Sequence, residues 1–505
     1  MRFSLAVRRI CVFIAPFPPM SSTPSLSGSP SGSAGLFRRA LAENPATFAL
    51  ALPIITGQLG QMLMGWADTI MVGRLGVGPL AACAFGSAVV NLFLVFGFGL
   101  VSSVSVRVSQ EFGAKRYRQT GEVLLAGMLF ALVAGLLMVG VVYLAWPWFG
   151  FLGQDPEVLR DSRDFLFLVV WSIVPGMLTT VAKDYAESLG WPWLSSGVIL
   201  GGVGVNVGLN WLLIEGRAGF PALGLVGAGW GTLLARCVVT VVLFAILFGS
   251  RWFTPYRVWQ MPWSRVRRHV AVLTRLGVPA GFHLMAEAGL FVASTLMMGW
   301  VGKPALAAHQ VAMTCAGTAF MFPLGLGLAM TIRVGRAIGA GQPERVRPIA
   351  IGALGVGWLL LVCFALLFIT SGGLIAGVFI GDHEVVMLTT QFLLIAGLFQ
   401  LFDGTQMMSV GGLRGMGDVR VPMLLVYGCY WVIGLPVGYW LAFHAGWAGP
   451  GLWVGMALGL ACMAVSVGTR LWVLSGRRIR PVVPVALLFA FGAFGLSGIG
   501  LLVKA

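Results

Sequence analysis

Charge is what this chain lacks. Only 10% of its 505 residues are Asp, Glu, Lys or Arg, where soluble chains carry about 25%. That scarcity excludes a water-soluble globular surface for most of its length. Cysteine is sparse too: seven residues, scattered, six of them inside apolar runs and with no CxxC pair. They read as small apolar packing residues, not as a disulfide framework or a metal site. The five histidines are dispersed. No GxxxxGK[ST] phosphate loop, HExxH metal site or GxSxG elbow occurs, so no cofactor is expected and there is no positive case for an enzyme.

What the chain has is apolar length. Val123–Trp146, Ala350–Thr370 and Met423–Phe443 each reach the roughly 20 residues that cross a bilayer. Unbroken runs of this kind favour helices, since barrel strands alternate over about ten residues. The pattern predicts an all-α integral membrane protein with twelve spans, and a further apolar stretch at 482–503 as a possible thirteenth helix. The net charge of +16 raises the question of a nucleic-acid partner, and its distribution answers it. Of 33 Lys and Arg, 26 fall in the N-terminal tail, the even-numbered loops or their flanks. That is the positive-inside pattern of a multi-pass inner-membrane protein with a cytoplasmic N-terminus, in contact with lipid and not with nucleic acid.

Residues 1–20 imitate a signal peptide, but prolines interrupt the apolar patch and no clear A-x-A site follows. Residues 21–35 are rich in Ser, Pro and Gly. The expected organisation is a disordered tail over 1–44 (with Met20 as a second candidate start), a six-helix lobe over 45–250, and a basic linker over 251–270. A second lobe over 271–475 and a tail over 476–505 follow.

The two lobes are expected because the chain repeats itself. Residues 53–114 align with 279–340 without a gap, with 16 identities in 62 positions, from Pro53 and Pro279 to Gly113-Ala114 and Gly339-Ala340. About six spans separate the copies. An even number returns the chain to the same side, so the halves share one orientation. Their pseudo-two-fold axis then runs along the membrane normal, with a cleft between the lobes.

A charge at mid-bilayer costs roughly 2.5–3.5 kcal/mol on insertion scales, yet three carboxylates lie within spans: Asp68, Glu287 and Asp403. The repeat equivalent of Glu287 is Gln61, so both halves place a polar group at one level. Glu287 and Asp403, in one lobe, suit a shared proton or a bound Na+. His283 is one turn before Glu287, on the same face. Asn206 and Asn210, four apart in one span, line a cavity or join helices. Arg236 needs a partner that the sequence does not identify. Asp184 and Glu187 read as the end of span 4 and its loop.

Several segments carry a resemblance. "WADTIMVGRLGVGPLAA", "ALAAHQVAMTCAGTAFMFPLGLGLAMTIRVGRAIGAG", "NVGLNWLLI" and "DGTQMMSVGGLRGMGDVRVPM" resemble the multidrug and toxic compound extrusion (MATE) family, most closely its NorM-type bacterial members, over about 45–475. The resemblance implies export of small organic cations driven by inward Na+ or H+ flow. It implies cation-site roles for Glu287 and Asp403, and it likens Asp68 to the family's span-1 aspartate. Asn206, Asn210, Gln310 and, more loosely, Asp382 resemble substrate-contact or polar cavity positions. Two departures stand out. Asn210 replaces an aspartate of some relatives, and Phe399 replaces a common tyrosine one turn before Asp403. The expectation is a secondary active multidrug antiporter working by alternating access. The alternative is a lipid-linked oligosaccharide flippase of the same plan, which calls for a cationic cleft.

Overall fold

The structure, a computed structural model, describes residues 33–152, 156–217, 219–258, 261–379 and 381–476. Among these, 12 helices are long and apolar enough to cross a membrane. They are α1 (Ser33–Gly73), α2 (Val77–Gly113), α3 (Tyr117–Ala145), α4 (Glu157–Leu189), α5 (Pro192–Glu215) and α6 (Gly224–Gly249) in the first half. The second half holds α7 (Trp263–Val301), α8 (Lys303–Gly339), α9 (Val346–Phe379), α10 (His383–Gly415), α11 (Arg420–Phe443) and α12 (Ala448–Ser475). Most of the expected N-terminal tail and the stretch 482–503 lie outside the described residues.

Several helices outrun the expected spans. α1 starts at Ser33, so residues 33–44 of the expected tail are helical. α7 starts at Trp263, inside the expected linker. At 1.5 Å per residue, a 39-residue helix is about 58 Å long, well past the roughly 30 Å hydrocarbon core. Arginine-rich segments favour helix as much as leucine does, so nothing stops the helix where its hydropathy falls.

Two apolar cores hold the molecule. One gathers buried residues of α2 to α6 around Val104, Met177 and Leu243. The other gathers α7 to α12 around Leu326, Phe392 and Trp453, and takes Leu50, Ile54 and Ile55 of α1 with it. The outer surface is apolar as well, with Leu137, Leu144, Leu374 and Val378 more than half exposed. In water such a surface would drive association; in lipid it is at rest.

The halves meet symmetrically at the arginine-rich end, here the basic end. Adding 226 to a residue number in the first copy gives its partner in the second. Gly113 packs on the backbone of Arg336, and Gly339 packs on the backbone of Gln110. Midway along the same helices, about 21 Å from that end, Gly99 packs on Gly281, and Gly325 on Ile55. Each pair of contacts exchanges under that rule, as a two-fold operation requires. Ser109 and Gly335 are one another's equivalents and touch: a Cβ at Gly335 would lie 2.8 Å from that of Ser109. The axis therefore passes between α2 and α8 at this point. Six glycines let backbones approach along this interface where any side chain would hold them apart.

Candidate functional site

The helices that pack so closely at the basic end part further along, and the cleft between them carries the polar groups. A cavity of about 380 Å³ is lined from lobe one by Gln58, Gln61, Lys183 and Asp184, and from lobe two by Glu287, Gln400, Asp403 and Arg414. Phe98, Phe291, Phe320 and Phe399 are among its apolar walls. A second cavity of about 600 Å³ extends into lobe one, past Asp68 and Arg236. The two share Gln58, Gln61, Phe98 and Thr180 as a common wall.

In lobe two, Glu287 of α7 is 6% exposed and Asp403 of α10 is 3% exposed. The Gln406 amide donates to Glu287 Oε1 at 2.6 Å. Gln400 donates to the carbonyl of Ala316 at 2.8 Å. Gln400, Asp403 and Gln406 are spaced by three residues, so α10 presents them on one face. Asp403 Oδ1, Gln400 Oε1 and Gln406 Oε1 are buried without a protein partner, as is Nη2 of Arg414. Buried acceptors in that condition have a use for a cation or for water. His283 is buried with neither ring nitrogen bonded. Phe399 lies against Phe291 and Trp453, with its ring in the cavity wall.

In lobe one, Asn210 donates to Asp68 Oδ1 at 2.6 Å and to Asn206 Oδ1 at 3.4 Å. The Thr232 hydroxyl donates to Asp68 Oδ2 at 3.3 Å. Asp68, Asn206 and Asn210 thus form one cluster, which sequence spacing alone did not join. Arg236, whose partner the sequence left open, donates to the Ser172 hydroxyl at 2.8 Å and lines the same cavity as Asp68.

The other expected positions stand apart. Gln310 is exposed at the first turns of α8. Asp382 caps α10, accepting from the backbone N–H of Glu384 and Val385 at 2.9 and 3.2 Å. Asp184 and Glu187 do lie toward the end of span 4, but the expected loop is corrected: α4 runs on to Leu189, and both are buried, 5% and 2% exposed. Lys183, in the same helix, pairs with both and offsets one of their two charges, at 3.3 Å from Asp184 and 3.8 Å from Glu187. A charged cluster that pairs internally can stay in a helix that a hydropathy window would end.

Among the described residues no group of three or more His, Cys, Asp or Glu forms a metal cluster. The lobe-two set is instead two carboxylates with amide oxygens, a donor chemistry that suits Na+ or a proton.

Comparison with known proteins agrees with this architecture. The probable multidrug resistance protein NorM of Mesorhizobium japonicum is 34% identical over 455 residues, which cover 88% of this chain and 96% of that protein. Its namesake in Brucella suis biovar 1 is 33% identical over 441 residues, 85% and 92% of the two chains. Among solved structures, the eukaryotic MATE transporter AtDTX14 superposes with a TM-score of 0.80 at 19% identity, over 87% of this chain and 98% of that one. An outward-facing multidrug resistance MATE family transporter of the MOP superfamily superposes at 0.79 with 18% identity, over 89% and 99%. The MatE family profile matches residues 53–212 and 279–440, one match on each copy of the repeat. This chain, a membrane transporter with 12 membrane-length helices among its described residues, therefore belongs to the MatE family.

Proposed function

We propose that the protein is a secondary active multidrug efflux antiporter. It exports cationic amphipathic compounds across the bacterial inner membrane in exchange for Na+ or H+. The observation that carries this reading is the pair Glu287 and Asp403, buried in lobe two and lining the cleft between the lobes. A carboxylate pair in a low-dielectric wall changes its charge, or takes up an ion, with large energetic effect. A cavity of about 380 Å³ lies within the range of small-molecule sites. Its aromatic walls suit an apolar body, and its carboxylates suit a cationic head. The relatives named as multidrug resistance proteins support the same substrate breadth.

With the arginine-rich end placed in the cytoplasm by the positive-inside rule, the state described is closed inward. Cation binding at Glu287 and Asp403 from outside favours substrate release and the return to the inward-facing state. The ion acts only through its different affinity for the two states. Two cations, Lys183 and Arg414, also line the cleft. They are outnumbered there by Asp184, Glu287 and Asp403, which disfavours the pyrophosphate of a lipid-linked oligosaccharide. The test is dye efflux from vesicles with Na+ and pH gradients imposed separately. Glu287→Gln and Asp403→Asn should each abolish gradient-driven efflux. Normal coupled transport by both variants would overturn the assignment.

A further inference from the structure

The Lys183–Asp184–Glu187 trio is absorbed by neither the lobe-two carboxylates nor the Asp68 cluster. All three are at least nine-tenths buried, at 6%, 5% and 2% exposure. Lys183 and Asp184 line the cleft. Glu187 stands back from it, held by the Ser195 hydroxyl at 3.1 Å. Counted as ionised, the trio has two negative charges and one positive, so it is one monovalent cation short of neutrality. The cation already there is a primary ammonium on a flexible stem. Its charge sits 3.3 Å from Asp184 and 3.8 Å from Glu187, within reach of both.

We infer that Asp184 is the acceptor for the ammonium head of the exported compound, and that Lys183 is a tethered competitor occupying it when no substrate is bound. The inference rests on the antiporter reading and names its substrate-head site. A monocationic ligand entering the cleft takes Asp184. Lys183 withdraws to Glu187, its i+4 neighbour, and so is never left unpaired. The trio then reaches neutrality, and the ligand's apolar body meets the nearby phenylalanine walls. On release Lys183 returns, so the site is not left as a bare buried pair of carboxylates. Lysine suits such a part better than arginine, because its compact charge moves on a flexible stem.

The test measures equilibrium binding of a cationic amphipathic dye, and of a neutral isostere, to the purified full-length protein with no gradient imposed. The readout is the ratio of the two affinities. Lys183→Gln should raise that ratio by about tenfold, since a site blocked nine-tenths of the time binds tenfold more weakly. Asp184→Asn should lower it, and Lys183→Gln in the Asp184→Asn background should give no gain. That non-additivity separates competition for one carboxylate from a general change in field, which would leave the two effects additive. An unchanged ratio in Lys183→Gln, or a gain that survives in the double variant, overturns the proposal. Should Lys183→Gln fail to fold, Asp184→Asn keeps the test open, because loss of the lobe-one acceptor must still lower the ratio. Gradient-driven efflux by the wild type is read separately. If it is present while the binding ratios are flat, the head site is wrong and the antiporter reading stands.

Discussion

Glu287 depends on Gln406, a residue that draws no attention in the sequence. The hydrogen bond that the Gln406 side-chain amide donates to Glu287 Oε1 at 2.6 Å ties the two together, and Gln406 itself is fully buried. Gln406→Leu keeps much of the volume and removes the donor. It should cost about 1–3 kcal/mol, the usual penalty for an unsatisfied buried group, read as a lowered thermal unfolding midpoint in detergent. Efflux should fall with it, and rescue should be partial in Gln406→Asn, whose shorter amide falls short of the carboxylate. A Gln406→Leu protein with unaltered stability and coupling would show that the bond is incidental. In lobe one the comparable donor is Asn210. Asn210→Leu should disorganise Asp68, since it removes the 2.6 Å bond and leaves the longer one from Thr232 at 3.3 Å. Dye-binding affinity should drop more than tenfold if that cluster holds substrate or ion. The buried carboxylates Asp68, Glu287 and Asp403 stood out in the sequence because each is an isolated charge in an apolar run. Their amide partners did not, because a glutamine in a helix has no pattern until its neighbour across the cleft is known. The burial of Lys183 and Asp184 was hidden for the opposite reason: adjacent charges look like the end of a span.

α2 holds the halves together from the middle of the helix to its basic end. Gly99 approaches α7, with a Cβ at that position falling 2.5 Å from the Cα of Gly281. The obstacle is backbone and cannot swing aside. Gly99→Leu should therefore push α2 and α7 apart and disfavour this state relative to one open at the basic end. With a cysteine at Ser102, which lines the cleft, in a cysteine-free background, labelling from the basic side should rise. Equal labelling of both proteins would mean that the glycine contact does not gate access. The repeat predicted this layout well. Twelve spans, two halves and the shared glycines could all be read from hydropathy and self-similarity. What escaped was how far the helices extend beyond the bilayer, and the π-helical turn Tyr427–Gly434 within α11. Such turns occur often at functional sites. Here the turn carries Trp431, whose ring N–H donates to the carbonyl of Ala286 at 3.1 Å, one residue before Glu287. Hydropathy reports where a helix is apolar and is silent on its winding.

The whole molecule is fastened at the basic end by two latches that the repeat relates. On one flank Glu43 of α1 bonds Arg333 of α8 and, at 2.9 Å, Arg345 at the entry to α9. Arg333 also donates to the Glu43 carbonyl at 2.7 Å. On the other flank Glu122 of α3 bonds Arg265 of α7 at 2.7 Å and lies 3.4 Å from His269. His269 is the repeat equivalent of Glu43, so each latch ties the first helix of one half to the other half. Alternating access requires both to release, because the cleft cannot open at this end while α1 is held to α8 and α7 to α3. Removing one carboxylate leaves cations without their partner in the closed state and costs nothing in a state where the latch is already apart. Each 1.4 kcal/mol lost from the closed state alone shifts the balance tenfold. Glu43→Gln and Glu122→Gln should thus each raise basic-side labelling of the Ser102 cysteine by about tenfold. The two share no partner, so the double variant should show the product of their effects. Screening acts in the same direction: high salt should raise wild-type labelling and change the double variant little, since its latches are already gone. A labelling rate that ignores both carboxylates and salt would place the barrier to inward opening elsewhere, in the glycine contacts between α2, α7 and α8.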